Sequence, residues 1–439
     1  MPDHDALLTD LYQLTMAQAY LEEGRTADAT FSLFVRRLPA SRNLLLASGV
    51  DHALDFLESA AFGPRSIDYL RQLGHFSAEF LAWLSDFRFS GRVHAVAEGT
   101  PVFAEEPILE VTAPLPEAQI VETMLIARVH LATMLASKAL RVVQAARGRA
   151  IVEFGLRRTH GAEAGLAAAR SAWIAGAAGT SNVLAGRLYG IPVMGTMAHS
   201  YVQSHDDEGD AFRAFASLYP DSTLLIDTYD TLEGARRLVE LARELGDRFR
   251  VRAVRLDSGD LLELARGVRS ILDDGELRHV EIFASGGLDE HEVDRLVRAG
   301  APIDGFGVGT RMGVSADAPS LDMVYKLTEY DGRGRVKLSP GKELLPGRKQ
   351  VFRDPEDGDT IGQWHERLDG APLLSVVMQD GRRTRAPEPL SAARERARDA
   401  VEALPAAVRA LEPADPPWRV RFSERLREAG AAVAREVVA

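Results

Sequence analysis

Charged side chains follow one predicted strand in a pattern suited to binding a carboxylate. In "VRLDSGD", strand alternation puts Val254 and Leu256 on one face and Arg255 and Asp257 on the other. Two charges at the end of a strand are costly to bury unless they are paired or bound to a ligand. Arg255 could therefore hold a carboxylate through two hydrogen bonds, with Asp257 orienting it. A purely structural Arg–Asp pair is the alternative that these residues alone leave open.

Two glycine-rich stretches, "FASGGLDEHEV" and "DGFGVGTRMG", follow two consecutive predicted strands. Ser285, Gly286 and Gly287 end the first strand, and Gly309 and Thr310 lie in the loop after the second. Glycines let backbone N–H groups approach a phosphate closely, and a threonine hydroxyl adds a further donor. The pair predicts a phosphate site, with two tight turns as the alternative. The second stretch lacks the last glycine of the dinucleotide-binding pattern, because Thr310 stands there.

Three further segments carry candidate reactive groups. His199 in "GTMAHSYVQSH" follows a short apolar run, where a histidine is either a structural residue or a chemical group. Arg157 and Arg158 in "EFGLRRTHGAEAG" follow another predicted strand, and such a pair suits either an anionic ligand or a solvated turn. Asp227 in "LLIDTYD" is a third strand-end candidate, although it could simply cap the turn.

A tyrosine near the N-terminus is a candidate for stacking. In "LLTDLYQLTMAQAYLEEG" a helix is predicted with Thr9 or Asp10 as its cap, and Tyr12 falls outside the apolar stripe. An exposed aromatic ring could stack on a flat ligand ring, whereas the plainer interpretation is a half-buried surface tyrosine.

The elements that must position these residues alternate between short apolar runs and amphipathic helices, which is typical of parallel α/β architecture. Three of the helices begin with Asp-x-x-Glu, at Asp230, Asp260 and Asp289, a pattern resembling a capping box. We predict a (β/α) barrel rather than an open doubly wound sheet, with polar residues at the carboxyl ends of the strands. The predicted strands are "AIVEFG" (150–155), "GIPVMG" (190–195), "STLLIDT" (222–228), "VRAVRLD" (251–257), "VEIFAS" (280–285) and "IDGFGVG" (303–309).

The flanking sequence predicts a second, α+β domain built from both ends of the chain. Residues 92–113 show β-like alternation, and residues 116–146 form one long helix or two. We expect residues 1–140 and 329–439 to form this domain, and residues 141–328 to form the barrel.

The composition excludes several classes of protein. The chain has 439 residues, which exceeds a single core, and its net charge of −12 argues against a broad nucleic-acid interface. It has no cysteine, which excludes disulfides, thiolate zinc sites and a cysteine nucleophile. No apolar stretch is long enough to span a membrane and the start lacks a signal-peptide pattern, so we expect a soluble, cytoplasmic protein.

Taken together and in order, these motifs resemble nicotinate phosphoribosyltransferase, over roughly residues 7 to 353. The resemblance implies an irregular α/β barrel of the type II phosphoribosyltransferase kind with a second domain from both termini. It also implies ATP-coupled transfer of phosphoribosyl from phosphoribosyl pyrophosphate to nicotinate, with Mg²⁺, in a homodimer that shares its active site. The matching segments are "LLTDLYQLTMAQAY", "FVRRLP", "EFGLRRTHG", "GTSNVLAG", "GTMAHSYV", "VRLDSGDL", "ASGGLDE", "GFGVGT", "YKL" and "LPGRKQVFR".

The resemblance also assigns roles to individual positions. His199 matches the histidine that ATP phosphorylates, and Tyr12 matches a ring-stacking tyrosine often supplied by the partner subunit. Nicotinate contacts match Thr196 and Arg255, with Arg255 suited to the carboxylate. Arg157 matches an arginine of the substrate pocket. The phosphoribosyl phosphate site matches Gly286, Gly287, Gly309 and Thr310. The metal ligands are not assigned.

One position departs from the family pattern, and three other functions remain as alternatives. His130 stands where the family usually has Asn, at a supporting position with no expected reacting group. The alternatives are a phosphoribosyltransferase for nicotinamide or quinolinate, a non-catalytic barrel that binds a nucleotide or sugar phosphate, and a barrel aldolase or isomerase. The last lacks a convincing Schiff-base lysine at a strand end.

Overall fold

The computed structural model describes residues 6–339 and 344–438. The chain divides into two compact units, one of Met1–Met134 with Ser320–Ala439 and the other of Leu135–Pro319. In the described residues no helix is long and apolar enough to cross a membrane.

Strands and helices are numbered along the whole chain. The strands are β1 Asp28–Val35, β2 Leu45–Leu46, β3 Arg92–Val96, β4 Pro101–Val102, β5 Pro107–Pro114, β6 Ala150–Glu153, β7 Gly179–Thr180, β8 Thr223–Leu225, β9 Ala253–Leu256, β10 Glu281–Ala284, β11 Gly305–Val308, β12 Met323–Tyr330, β13 Arg333–Gly334, β14 Lys349–Asp354, β15 Gly358–Gln363, β16 Ala371–Pro372, β17 Leu374–Gln379, β18 Arg382–Arg383 and β19 Val420–Phe422. The α-helices are α1 Leu11–Glu22, α2 Val50–Ser59, α3 Pro64–Leu73, α4 Ala78–Ser85, α5 Leu115–Ile120, α6 Glu122–Ala145, α7 Ala162–Ile174, α8 Val183–Tyr189, α9 His199–Gln203, α10 Glu208–Leu218, α11 Thr231–Leu245, α12 Leu261–Asp274, α13 Glu290–Arg298, α14 Thr310–Gly313, α15 Leu390–Glu402, α16 Ala406–Arg409 and α17 Glu424–Val438.

The unit Leu135–Pro319 contains a curled, six-stranded parallel sheet in the order β7-β6-β11-β10-β9-β8. Its last strand β11 pairs with its first strand β6, and every other neighbour is consecutive along the chain. This cyclic order is that of a (β/α) barrel, not of an open doubly wound sheet. No ladder among the described residues joins β7 to β8, so the sheet is a half-barrel and the predicted closed barrel is only partly formed.

The local sequence explains most of this sheet. Five of the six predicted strands form. They are short, and most of their residues are buried, as in other parallel sheets. The predicted strand at residues 190–195 is wrong: Val193 makes a single parallel bridge to Thr180. The short strand β7, which precedes that bridge, was not predicted. Pro192 has no N–H group to give to a ladder, which limits pairing there.

The predicted Asp caps are confirmed at three helices, but the reciprocal half of the capping box is not seen. Asp230, Asp260 and Asp289 each accept a hydrogen bond from a backbone N–H of the first turn. The glutamates three residues later accept hydrogen bonds from arginines three residues further on, as in the Glu263–Arg266 pair at 2.9 Å. Each carboxylate is therefore used on the helix surface, where i,i+3 pairs are neighbours.

The other unit is built on a seven-stranded sheet in the order β13-β12-β1-β5-β3-β17-β18, in which neighbouring strands are antiparallel. Strands from both ends of the chain are neighbours in this sheet, since β1 pairs with β12 and β3 pairs with β17. A four-stranded sheet, β16-β14-β15-β19, lies in the same unit. The segment predicted as one helix or two forms two, α5 and α6.

Candidate active site

A cavity of about 490 Å³ is lined by the residues that follow β6, β9, β10 and β11. In this unit the parallel strands all end at one edge, so residues distant in sequence meet there. Nine of the predicted site residues line this cavity: Arg157, Thr196, Arg255, Asp257, Ser285, Gly286, Gly287, Gly309 and Thr310. The structure thus brings together most of the site predicted from the sequence.

Arg255 is the cation best placed to receive an anion in this cavity. Its Nη2 donates to the carbonyl of Met197 at 3.4 Å, whereas its buried Nε has no hydrogen-bond partner among the described residues. Burial lowers the pKa of Arg255. The negative charges of Asp257 and Asp227 oppose this shift, and the positive charge of Arg157 adds to it. A guanidinium with an unused buried donor is prepared for a ligand because its desolvation is otherwise uncompensated.

The Asp257 carboxylate has partners other than the one expected from the sequence. It accepts a hydrogen bond from the Ser285 hydroxyl at 2.5 Å, and its Oδ2 lies 3.9 Å from His199 Nε2. The predicted pairing with Arg255 is not among the ion pairs of the described residues. Asp257 is therefore tied to the loop after β10, a contact that strand alternation cannot reveal.

His199 is the first residue of α9, directly after the segment Gly195–Ala198 that lines the cavity. Its Nδ1 lies 3.2 Å from the hydroxyl of Thr228, and its side chain is 40% exposed. The imidazole thus lies between a hydroxyl and the carboxylate of Asp257, with enough exposure to meet a soluble ligand. His205 is held differently, with Nδ1 3.0 Å from the carbonyl of Tyr201.

The loop after β10 depends on two glycines in the left-handed region. Gly286 has φ of 93° and Gly287 has φ of 64°. A Cβ atom on Gly286 would overlap the carbonyl oxygen of Asp257, whereas one on Gly287 would meet no atom within 4 Å. Gly286 is needed for the close approach of the strand ends of β9 and β10, and Gly287 only for its backbone conformation.

The loop after β11 packs closely on the end of β6. A Cβ on Gly309 would lie 3.0 Å from the carbonyl oxygen of Phe154. The buried Glu153 carboxylate holds this edge, because it accepts hydrogen bonds from the Gly155 N–H and from the Thr180 hydroxyl. Burial raises the pKa of Glu153, and these two hydrogen bonds oppose the rise.

The cavity-lining residues that sequence reasoning missed include Phe154 and Ser181. Phe154 supplies an aromatic ring, packed 6.3 Å from the ring of Phe283 and against Gly307. Phe154 lies between Glu153 and Gly155 at the end of a strand. Because side chains alternate between the two faces there, its position was a usable signal that it could face the cavity.

A buried carboxylate, Asp227, adjoins the site. Asp227 Oδ2 accepts hydrogen bonds from the Asp257 N–H at 2.9 Å and from the Ser258 hydroxyl at 2.7 Å. Asp227 Oδ1 and Glu208 Oε1 are buried with no hydrogen-bond partner among the described residues. Burial raises the pKa of Glu208 to about 7, opposed by Arg237 and reinforced by neighbouring carboxylates. Asp227 was a candidate from the sequence, and Glu208 was not.

Two predicted positions lie in the other unit. Tyr12 is on α1 with about half of its surface exposed, and burial followed by Glu122 raises its pKa. Its stacking role stays a prediction. His130 accepts a hydrogen bond from the Leu321 N–H at 2.9 Å, and burial lowers its pKa. The hydrogen bond gives this imidazole a structural role.

The same unit holds a second cavity, of about 420 Å³, with a cationic lining. Burial raises the pKa of Glu105 there to about 7, opposed mainly by Arg36. The cationic lining residues are Arg36, Arg37, Lys349 and Arg427.

Comparison with known proteins identifies relatives over most of the chain. Residues 7–130 match the nicotinate phosphoribosyltransferase N-terminal domain, and residues 150–338 match the nicotinate phosphoribosyltransferase family. The chain is 53% identical over 426 residues to a nicotinate phosphoribosyltransferase of Mycobacterium tuberculosis, covering 96% of this chain and 92% of the relative. It is 39% identical to the Bacillus subtilis nicotinate phosphoribosyltransferase over 388 residues, covering 85% and 79%.

Solved structures also match over most of the chain. The crystal structure of human nicotinic acid phosphoribosyltransferase matches with a TM-score of 0.85 at 28% identity, covering 97% of this chain and 99% of that one. The nicotinate-nucleotide pyrophosphorylase of Pyrococcus furiosus matches with a TM-score of 0.75 at 25% identity, covering 91% and 95%. The sequence matches extend over most of the chain and over both units. This chain therefore belongs to the nicotinate phosphoribosyltransferase family.

Proposed function

We propose that this chain is an enzyme that transfers phosphoribosyl from phosphoribosyl pyrophosphate to nicotinate, giving nicotinate mononucleotide and pyrophosphate for NAD salvage. The observation that carries the proposal is the shared cavity, in which an incompletely paired Arg255 faces the same space as two glycine loops. The relatives from M. tuberculosis and B. subtilis bear the name of this enzyme.

Nicotinate is the pyridine that suits this cavity. Its carboxylate can accept hydrogen bonds from Arg255, which has an unused Nε donor. The flat ring can lie against the ring of Phe154, and the Thr196 hydroxyl is a further polar contact. Nicotinamide would leave the guanidinium without a counter-charge, so it is the poorer substrate in this proposal.

The sugar diphosphate uses the other wall. Backbone N–H groups of the loops at Gly286–Gly287 and Gly309–Thr310 would hold the 5′-phosphate, and Arg157 adds a positive charge. As the bond from carbon 1 to pyrophosphate breaks, positive charge develops on that carbon, and the pyridine nitrogen attacks with its own lone pair. No general base is required, and catalysis is mainly positioning and electrostatic stabilisation.

ATP coupling would run through His199. A neutral imidazole nitrogen attacks the γ-phosphorus of ATP, so that an N–P bond forms, the bond to the β,γ-bridging oxygen breaks and ADP leaves. The Thr228 hydroxyl and the Asp257 carboxylate flank this ring, and both can orient it. The phosphorylated ring would tighten the grip on the diphosphate and be hydrolysed after transfer.

We propose that oxygen donors at this edge hold Mg²⁺ together with the substrate phosphates. Mg²⁺ prefers oxygen ligands and often binds through one or two carboxylates plus substrate phosphates. Asp257 lines the cavity, and Asp227 has a buried oxygen without a partner among the described residues. These two carboxylates would hold an ion that neutralises charge on the diphosphate. Within the described ranges no cluster of three or more His, Cys, Asp or Glu could hold a metal alone.

The subunit arrangement also belongs to the proposal. Tyr12 is half-exposed on α1, as a residue that stacks on a ligand of a partner subunit must be. We propose a homodimer with a shared active site, which size-exclusion chromatography with light scattering tests, together with a Tyr12→Ala variant.

Labelling with γ-labelled ATP tests the mechanism. We expect acid-labile, base-stable label on the peptide that contains His199 in the wild type, and none in His199→Ala. His205→Ala is the matched control, because His205 contacts the Tyr201 carbonyl in the same segment, and it should keep the label. Wild-type protein that makes nicotinate mononucleotide without label would refute coupling through His199.

Product assays with nicotinate, nicotinamide and quinolinate separate the alternatives. Preference for another pyridine would assign the chain a different phosphoribosyltransferase activity. Binding of phosphoribosyl pyrophosphate without any mononucleotide would favour a non-catalytic sensor.

A further inference from the structure

A buried ionic cluster links the two segments that carry the glycine loops. Lys138 on α6 has its Nζ 2.5 Å from Glu290 Oε2 and 3.0 Å from Asp317 Oδ1. The side chain of Lys138 is 2% exposed and that of Glu290 is fully buried. Arg141 Nε donates to the other oxygen of Glu290 at 3.0 Å. Breaking a buried pair of this kind leaves an uncompensated charge, so the cluster resists distortion.

Each acid of the cluster is connected to one glycine loop by the backbone. Glu290 begins α13, directly after the loop that contains Gly286 and Gly287. Asp317 follows α14, which begins at Thr310 and is closed by a hydrogen bond from the Gly313 N–H to the Gly309 carbonyl at 2.8 Å. A single ammonium group therefore holds the two loop-bearing segments together.

A second ionic contact connects the same two segments nearer the surface. Asp289 Oδ1 accepts hydrogen bonds from the N–H groups of His291 and Glu292, and Asp289 Oδ2 accepts from Arg311 Nη1 at 2.5 Å. Burial acts to raise the pKa of Asp289, but the Glu292 hydrogen bond and Arg311 lower it overall. Asp289 thus caps α13 while it pairs with the residue that follows Thr310.

We propose that Lys138, supported by the Asp289–Arg311 pair, is a positioning residue that fixes the separation of the two loops and so sets the affinity for a sugar 5′-phosphate. Glycine loops place N–H groups well only if neighbouring groups hold the backbone still, because glycine itself restricts it little. This inference rests on the proposed function in one respect, since it takes the two loops to be the phosphate site.

Two variants and one ligand test the inference. We measure binding of ribose 5-phosphate by calorimetry and the KM and kcat for phosphoribosyl pyrophosphate. Lys138→Met should raise both the Kd for ribose 5-phosphate and the KM for phosphoribosyl pyrophosphate about tenfold, equivalent to about 1.4 kcal/mol. Its kcat and its KM for nicotinate should stay within about twofold of the wild type. Asp289→Asn keeps a good helix cap but loses the charge opposite Arg311. This variant should raise the Kd for ribose 5-phosphate about threefold.

The control is a buried ion pair in the other unit. Arg353 Nη2 lies 2.6 Å from Asp359 Oδ2, so Arg353→Met should lower the Tm without changing the Kd for ribose 5-phosphate. If Lys138→Met does not fold, Asp289→Asn decides, since its contact is at the surface. Unchanged Kd in folded variants, or a fall confined to kcat, overturns the inference and leaves the proposed function standing. A wild type that does not bind ribose 5-phosphate refutes the phosphate loops themselves.

Discussion

Replacement of Arg255 by Gln tests the assignment of nicotinate most directly. The guanidinium has a buried Nε without a partner among the described residues, and its one described hydrogen bond is to the Met197 carbonyl at 3.4 Å. Few contacts are lost when the side chain is shortened, so the fold should tolerate the change. The effect should therefore fall on ligand binding.

The size of the expected loss follows from the hydrogen bonds that Arg255 can donate to a bound carboxylate. Each hydrogen bond to a charged group is worth about 1.5–3 kcal/mol, and truncation of one partner of a buried charge pair costs about 2–5 kcal/mol. Because Arg255 is only half-buried, we expect the lower part of this range, about 3 kcal/mol, or a fall of about 100-fold in kcat/KM for nicotinate. Arg255→Lys should lie between, since it keeps the charge but not the two-pronged geometry.

The assay compares nicotinate with nicotinamide, which lacks the carboxylate. Arg255→Gln should lose most of its preference for nicotinate, while its binding of nicotinamide changes little. Arg252→Gln is the matched control, because Arg252 lies nearby in sequence, is 69% exposed and pairs at the surface with Glu281. A kcat/KM for nicotinate within about threefold of the wild type in Arg255→Gln would show that Arg255 does not bind the carboxylate.

Two further perturbations concern the glycine loop after β10 and the buried carboxylate of Glu208. Gly286→Ala should destabilise the fold by more than about 2 kcal/mol and abolish phosphoribosyl transfer, because its Cβ would overlap a backbone carbonyl. Gly287→Ala, whose Cβ meets open space, should cost about 1–2 kcal/mol, and equal thermal stability of the two variants would contradict this. Glu208 has a pKa of about 7 in the fold against 4.5 ordinarily, so the unfolded chain ionises first and stability falls as pH rises from about 4.5 to 7. Glu208→Gln should match the wild type in urea unfolding at pH 4.5 and exceed it by about 1–3 kcal/mol at pH 8, and an equal difference at both pH values would count against a buried acid.

The strands and caps were predictable because their causes are local. The apolar run of β9 and the helix cap formed by Asp260 each depend on interactions within a few residues, and both form as expected. The failure at residues 190–195 has two causes: Pro192 has no N–H group to donate, and a strand also needs a neighbour that can pair along its whole length. In this segment only Val193 is paired, through a single bridge to Thr180 of β7 at the open side of the sheet.

Residue types and their spacing are enough to predict which residues gather at the strand ends, because parallel strands must end at one edge, and the order of the motifs is enough to predict the family. Which of these residues touch depends on the three-dimensional packing. It placed Asp257 against Ser285 and His199, and left Arg255 with an unused donor. It also joined Lys138 to Glu290, far apart in the chain. Such contacts depend on strand register and on the packing of side chains between elements, which residue types and spacing do not fix.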